Sequence, residues 1–281
     1  MTEQARRPVA VAIPTHNRRE HVLLSVQSVL NQTRPPAHVL VVCDGCSDGT
    51  QEAARAIDPR VEALEGPKRP GYGYVNRNLA HARAREHGAL LAWCGDDDLL
   101  LPDHLERLCA PLDDGAELVR GAFYTVLDDE RLFYEGGDLA VHEHLENFRR
   151  FGAALCVMAC VPEAADRAGG WRDDPPSSGD RDLWRRMLSA GARTGSSPLP
   201  TALYFHTSNS GLDAAQRLAR HRDWAARIAD PIRLARLRSL FMSVAGSRLV
   251  TLDATIPSSY ELREERLREQ QELRELRKLR G

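Results

Sequence analysis

Long apolar runs are missing from this 281-residue chain. None approaches the roughly 20 residues that a bilayer-crossing helix needs, so no transmembrane span is expected. The N-terminal stretch MTEQARRPVAVAIP carries two arginines, but Pro14 and His16 cut its apolar core too short for a secretory signal. A cytoplasmic protein is expected. A dominant charge is missing too. The 38 Lys and Arg against 40 Asp and Glu leave a formal net charge of −2, which gives no electrostatic case for nucleic acid as a main partner. Zinc-type cysteine patterns are also missing. Cys43 and Cys46 form one CxxC, and neither a second CxxC nor paired histidines follow at zinc spacing. Cys94, Cys109, Cys156 and Cys160 lie in apolar surroundings and read as buried thiols. Repeats and low-complexity linkers do not occur. A hydrophobic content of 42% is enough for a sizeable core, in one large domain or two small ones.

The most informative stretch that is present is residues 89–98, ALLAWCGDDD, an apolar run ending in three carboxylates. Adjacent carboxylates repel one another and need water or a cation between them. A hard, oxygen-seeking ion such as Mg²⁺ or Mn²⁺ suits them, and its usual companion is a phosphate. The surroundings support that reading over a merely solvated loop. Buried strands are expected at Val9–Ile13, His38–Cys43, Val61–Leu64 and Ala89–Cys94, with helices at Glu20–Leu30, Gln51–Ile57 and Val75–Glu86 between them. This alternation predicts a parallel sheet covered by helices, and such sheets bind ligands beyond the carboxyl ends of their strands. Thr15-His16-Asn17, Asp44 with Asp48, and Asp96-Asp97-Asp98 all fall at such ends.

Beyond Pro102 the pattern changes. A helix to about Cys109, strands at Glu117–Val126 and Ala154–Val161, helices at 141–151 and Asp182–Ala190, and a last strand at Thr201–His206 are expected. From Leu212 the chain reads as helix. Ile232, Leu234, Leu237, Phe241 and Val244 lie near one face, and an E/R/L tail follows from Tyr260.

Five segments in order carry a family resemblance: VAVAIPTHNRREHVLLSVQSVLNQT, VLVVCDGCSDGT, NRNLAHAR with ALLAWCGDDDLLLPDHLERL, GGWRDD with GDRDLWRRMLSAG, and YFHTSNSG. Over about residues 8–210 the chain resembles the inverting nucleotide-sugar glycosyltransferases of family 2. The resemblance implies an α/β GT-A fold, with a Rossmann-like nucleotide half (about 8–98) and an acceptor half (99–210) around a mixed, mainly parallel sheet. Residues 211–281 would form a helical extension. It implies that Pro14, Thr15 and His16 meet the base and ribose, His16 by stacking. Asp44 would accept from the base, Cys43 standing where relatives carry a further Asp. Arg77 would meet the nucleotide or its phosphates, and Lys68 and Arg69 would close over the diphosphate. The family's D-x-D motif falls on Gly95-Asp96-Asp97, so its first Asp is glycine here. Asp97 is the expected metal ligand, Asp96 serves ribose or metal, Asp98 is an alternative ligand, and His206 completes the site. Asp48 reads as a turn or cap residue.

The implied chemistry is transfer of a sugar from a nucleoside-diphosphate donor, UDP foremost, to an acceptor hydroxyl of a glycan, lipid or small molecule. A Mn²⁺ or Mg²⁺ ion would stabilise the leaving diphosphate. Asp180 is the candidate general base, with helix capping as its alternative role and Asp173 and Asp174 as rivals. Trp171 and Trp184 fit either a sugar-site floor or the core. A sugar-phosphate nucleotidylyltransferase is disfavoured, because PTHNRRE stands where its glycine-rich phosphate loop belongs. A non-catalytic binding module is the third reading. The C-terminal helices suit packing on the catalytic domain and pairing of two subunits (a homodimer), or contact with an anionic membrane surface; the near-balanced tail charge favours the first.

Overall fold

The computed structural model describes residues 6–128, 132–135, 154–205 and 210–235. Strands β1 (Val9–Thr15) and β2 (His38–Asp44) are buried over nearly all their length, and β4 (Leu90–Trp93) throughout. Strands this apolar must be covered on both faces. Helices α1 (Arg19–Leu30) and α2 (Thr50–Arg55) cover one face, where Val22, Val26, Val29 and Ala54 meet Val11, Ile13, Val39 and Val41. Helix α3 (Asn78–Glu86) covers the other, setting Ala80 and Ala84 against Ala10, Ala12, Leu40 and Val42. With β3 (Val61–Gly66) the strands pair in parallel in the order β3-β2-β1-β4.

The second half extends the same sheet. Its elements are β5 (Leu99–Leu100), α4 (His104–Asp113), β6 (Leu118–Val126), β7 (Leu132–Glu135), β8 (Met158–Cys160), α5 (Pro162–Arg167), α6 (Gly179–Ser189), β9 (Thr194–Phe205) and α7 (Ala214–Ala229). The order continues β4-β8-β6-β9-β5, with β7 on β6. Here only β6 and β9 run parallel; β4–β8, β8–β6, β5–β9 and β6–β7 are antiparallel.

Several elements differ from expectation, each for a local reason. The strand expected at 154–161 is a 3₁₀ turn (Leu155–Val157) followed by the short β8. Strand β9 starts seven residues before the expected Thr201, although Pro198 and Pro200 fall inside it. The ladder with β6 shifts register between Gly121 and Ala122, opposite Ser197 and Pro200, so the irregularity absorbs the prolines. Helix α6 begins at Gly179, which puts Asp180 inside the first turn rather than ahead of it. Helix α7 opens with a capping box between Asp213 and Gln216. It packs on the second half of the sheet: Trp224 and Ile228 share a cluster with Leu99, Leu101, Leu203 and Phe205. The first helix of the expected extension thus belongs to that core. The helix expected at 141–151, the apolar positions Leu237, Phe241 and Val244, and the E/R/L tail lie outside the described residues. Among the described residues no helix is long and apolar enough to cross a membrane.

One polar stripe positions the acidic loop. Ser25, Ser28 and Gln32 lie on the buried side of α1 and just beyond its end. Ser25 Oγ donates to the Asp98 carbonyl (2.8 Å), and Ser28 Oγ accepts from Leu100 N (3.1 Å). Gln32 donates to the Leu101 carbonyl (2.9 Å) and accepts from Leu105 N (3.0 Å). Replacing Gln32 with Leu strands both backbone groups, at a cost of about 1–3 kcal/mol each. The expected outcome is a melting temperature lower by several degrees, and an unchanged value would show that the stripe carries no weight.

Candidate active site

The carboxyl ends of β1, β2 and β4 lie side by side. Thr15 stands opposite Cys43 in the register, and Cys94 N donates to the Ala12 carbonyl at 3.0 Å. The loop 95–98 therefore emerges beside Thr15. Thr15 Oγ1 donates to Asp96 Oδ2 at 2.8 Å. Arg18 Nη1 donates both to Asp96 Oδ1 at 3.1 Å and to Asp97 Oδ2 at 2.7 Å. One guanidinium thus bridges two carboxylates. Burial and then the neighbouring Asp97 raise the Asp96 pKa to about 7.

Asp98, expected among the metal ligands, is instead turned inward. It is 2% exposed, and its Oδ1 accepts from Phe205 N at 3.2 Å. Burial first, then Asp97, push its pKa well above the usual carboxylate range, and the Cys156 thiol bonds to it. The inward turn also accounts for the missing first Asp of the metal motif. A side chain at Gly95 would collide with the Asp98 carboxylate. His206 lies outside the described residues.

On the nucleotide side, Asp44 closes β2 almost fully buried. Its carboxylate accepts from Lys68 Nζ at 2.5 Å, Arg69 N at 3.0 Å and Asn76 Nδ2 at 2.7 Å. Gly73, in the left-handed region at φ +62, lies so close that any side chain there would strike this carboxylate. His16 Nδ1 is 2.7 Å from the Asp44 carbonyl oxygen, so the two expected base-side residues are neighbours. Lys68, expected over the diphosphate, rests on Asp44 instead. Pro14 lies half-buried at the end of β1. Asp48 accepts from Arg19 N (3.1 Å) and Thr50 N (3.2 Å), as a turn residue does. The six cysteines are free thiols.

The acceptor side joins the same edge through Arg77, whose Nη1 donates to Asp180 Oδ1 at 2.6 Å. The guanidinium lies 4.8 Å from the Tyr74 ring centre and 4.7 Å from that of Trp171. Trp171 and Trp184 are buried together, which is the core role. Asp173 and Asp174 are exposed, and Asp173 is 3.8 Å from Arg69 Nη1. Tyr204, on β9, connects the two sides: burial first, then Asp98, Asp97 and Asp180, raise its phenol pKa. The phenol is therefore a neutral donor within electrostatic reach of both acidic groups.

Arg18, Asn76, Tyr74 and Tyr204 were not among the expected site residues. Arg18 had a signal, the basic pair in PTHNRRE directly after the first strand. Asn76 and Tyr74 had none beyond the Gly/Pro-rich loop before them.

The family model for glycosyl transferase family 2 matches residues 10–160, more than half of the chain. Polyprenol monophosphomannose synthase of Mycolicibacterium smegmatis is 34% identical over 118 residues, 41% of this chain and 44% of that protein. The putative teichuronic acid biosynthesis glycosyltransferase TuaG of Bacillus subtilis is 32% identical over 102 residues, 35% and 39% of the two chains. The chain spans less than half the length of these curated relatives. Among solved structures, S. aureus TarS superposes with a TM-score of 0.58 at 15% identity, over 75% of this chain and 41% of that one. The mannosyltransferase PcManGT from Pyrobaculum calidifontis, in complex with GDP-Man and Mn²⁺, gives 0.56 at 17%, over 94% and 80%. TarS 1-349 in complex with UDP gives 0.56 at 16%, over 76% and 70%. At such identities the likeness is one of fold. By the match over residues 10–160 and by its architecture, this chain belongs to glycosyl transferase family 2 and has the GT-A fold.

Proposed function

We propose that the protein transfers a sugar from a nucleoside-diphosphate sugar to an acceptor hydroxyl with inversion, assisted by Mn²⁺ or Mg²⁺ at Asp97 and Asp96. The observation that carries this reading is the Arg18 bridge. A cationic group already sits between two carboxylates at hydrogen-bond distance, and an all-oxygen donor pair of this kind suits a hard divalent ion. When bound, such an ion supplies Lewis-acid stabilisation of the departing diphosphate. Arg18, 42% exposed, then turns to the phosphates. Two structural neighbours are complexes with UDP and with GDP-Man and Mn²⁺, which supports a nucleotide-sugar donor. UDP is favoured here, with Asp44 accepting from the base, His16 beside it, and Pro14 and Thr15 against the nucleoside. Asp44 must exchange at least one of its present donors for the base.

On the acceptor side Asp180 takes the proton of the attacking hydroxyl. Arg77 holds Oδ1, so Oδ2 is the oxygen assigned to that proton. A single displacement at the anomeric carbon then inverts it, with no protein nucleophile. His206 remains proposed as a further metal ligand. A nucleotidylyltransferase does not fit the family match.

Release of nucleoside diphosphate from a panel of UDP- and GDP-sugars, with each metal and without, tests the whole reading. Turnover of no donor would overturn it, and turnover of GDP-mannose alone would move the base assignment. Asp180→Asn is expected to keep donor binding, read by thermal shift, and to lose about 10²–10⁴-fold in turnover; full turnover would remove Asp180 from the chemistry. Arg18→Ala removes the resident counter-charge, so Mn²⁺ alone should raise its melting temperature more than that of the parent. An equal or smaller rise would count against an ion between Asp96 and Asp97.

The pH dependence follows from Asp96. Its folded pKa, about 7, lies above its ordinary 3.8, so the folded metal-free protein binds the extra proton between those values. Metal-free stability from this group therefore falls as pH rises from about 4 to about 7 and is level above. An entering ion must displace that proton, so Mn²⁺ affinity should fall up to tenfold per pH unit below about 7. Isothermal titration at several pH values checks this, and a flat affinity from pH 5.5 to 8 would refute it.

A further inference from the structure

A second polar cluster lies at the opposite end of the sheet. His38 is the first residue of β2, Glu62 the second of β3, and His87 the C-cap of α3. In the β2–β3 ladder Glu62 stands opposite Leu40. Side chains two apart on a strand share a face, so His38, Leu40 and Glu62 all face α3. The end of α3 then brings His87 over them. His38 Nδ1 is 3.3 Å from Glu62 Oε1, and His87 Nε2 is 3.4 Å from the same oxygen. The three ligand atoms all lie within 4.8 Å of one another. Asp44, at the donor end of β2, is six residues from His38, or about 20 Å along an extended strand.

Three features point to a metal rather than a simple ion pair. Neighbouring ligands of a tetrahedral ion with bonds of about 2.0–2.1 Å are roughly 3.3 Å apart, the spacing that both imidazoles keep from Glu62. His87 Nε2 is shielded from solvent and has no hydrogen-bond partner despite its closeness to the carboxylate; an orphaned ring nitrogen is costly unless something accepts its lone pair. The other oxygen, Glu62 Oε2, accepts from Arg83 Nε at 2.7 Å, the kind of outer contact that orients a ligating carboxylate. The imidazole rings stack with centres 3.6 Å apart and planes 12° from parallel.

We propose that His38, Glu62 and His87 form a second, non-catalytic divalent metal site of the zinc type. Two imidazoles and a carboxylate are a zinc donor set, and a fourth position is left for water or another ligand. The donor-site pair Asp96 and Asp97 is all oxygen and selects harder ions. At the rear, the ion clips β3, the edge strand, to β2 and to α3.

The test uses the full chain, stripped of metal by a chelator and titrated with Zn²⁺, with bound metal counted by mass spectrometry. Every variant is made in the Asp97→Ala background, to exclude the front site. The expected result is one Zn²⁺ per chain retained in Asp97→Ala and lost in His87→Gln and in Glu62→Gln. With Zn²⁺ at a hundredfold excess over Kd the melting temperature should rise by roughly 5–10 °C. His87→Gln should show no rise. Co²⁺ in place of Zn²⁺ should give the intense visible absorption of a tetrahedral site, absent from His38→Gln. Retention of zinc by His87→Gln, or no zinc bound by Asp97→Ala, would overturn the proposal. Should the variants fail to fold, the Zn²⁺ count and Co²⁺ spectrum of Asp97→Ala alone decide it.

Discussion

Mutual repulsion among three successive carboxylates is the constraint around which this fold is arranged. Two unit charges 4 Å apart at an effective dielectric of 20 repel by about 4 kcal/mol, and Asp96, Asp97 and Asp98 follow one another at the end of a buried strand. The chain resolves the conflict by separating their environments. Asp98 goes inward, where burial keeps its proton on and the Phe205 amide and Cys156 thiol meet it. Asp96 and Asp97 stay at the edge and share Arg18. Glycine at 95 is part of the same solution, since a side chain there would displace Asp98. The departure from the family's metal motif is therefore a rearrangement of acids around one loop.

This arrangement ties the site to distant packing. The Asp98 carbonyl is held by Ser25, and the following residues by Ser28 and Gln32. Helix α1 also carries Glu20, which pairs with Arg222 on α7 at 2.8 Å. Arg18 immediately precedes the same helix. One helix thus positions the acidic loop from below and offers the counter-charge from its N-terminal end. An exposed arginine between two acids is an exchangeable partner. It offsets the two carboxylates without sealing them off, because a guanidinium on a flexible stem is displaced at modest cost.

Much of the donor half was legible in the sequence because buried parallel strands and their helices give strong apolar patterns. β1, β2, β3 and β4 fall within two residues of expectation at each end. Asp44, His16 and Asp96 were singled out because polar residues after such strands stand out, and the structure brings all three to one edge of the sheet. Legibility drops where structure is short or pairing is antiparallel. β5 has two residues and β8 three, too few to establish a period. Asp98 could not be sorted from Asp97 by pattern, because only the turn of the loop decides which acid faces the core. The rear cluster was invisible for another reason: its three residues come from separate elements, and no spacing rule connects them.

Beyond the sheet and core that the two halves share, a set of directional contacts joins them beside the carboxylates assigned to donor and acceptor in the proposed function. Arg77 precedes α3 in the donor half, and Asp180 lies in the first turn of α6 in the acceptor half; they pair at 2.6 Å. Beside them Asn78 donates to the Trp171 carbonyl (2.9 Å) and accepts from Trp171 N (2.8 Å), and Gly179 packs so closely on the Tyr74 ring that only glycine fits. The segment 73–78 therefore touches Asp44 at one end and Asp180 at the other. Asn76 holds the carboxylate proposed to meet the base, and Arg77, the next residue, holds the carboxylate proposed to take the acceptor's proton. On the proposed function, a nucleotide that displaces Asn76 from Asp44 disturbs the short 3₁₀ turn Tyr74–Arg77, whose last residue is bonded to Asp180. If Asp44 and Asp180 serve as proposed, donor occupancy and base orientation are properties of one six-residue piece of backbone, which bonds both carboxylates.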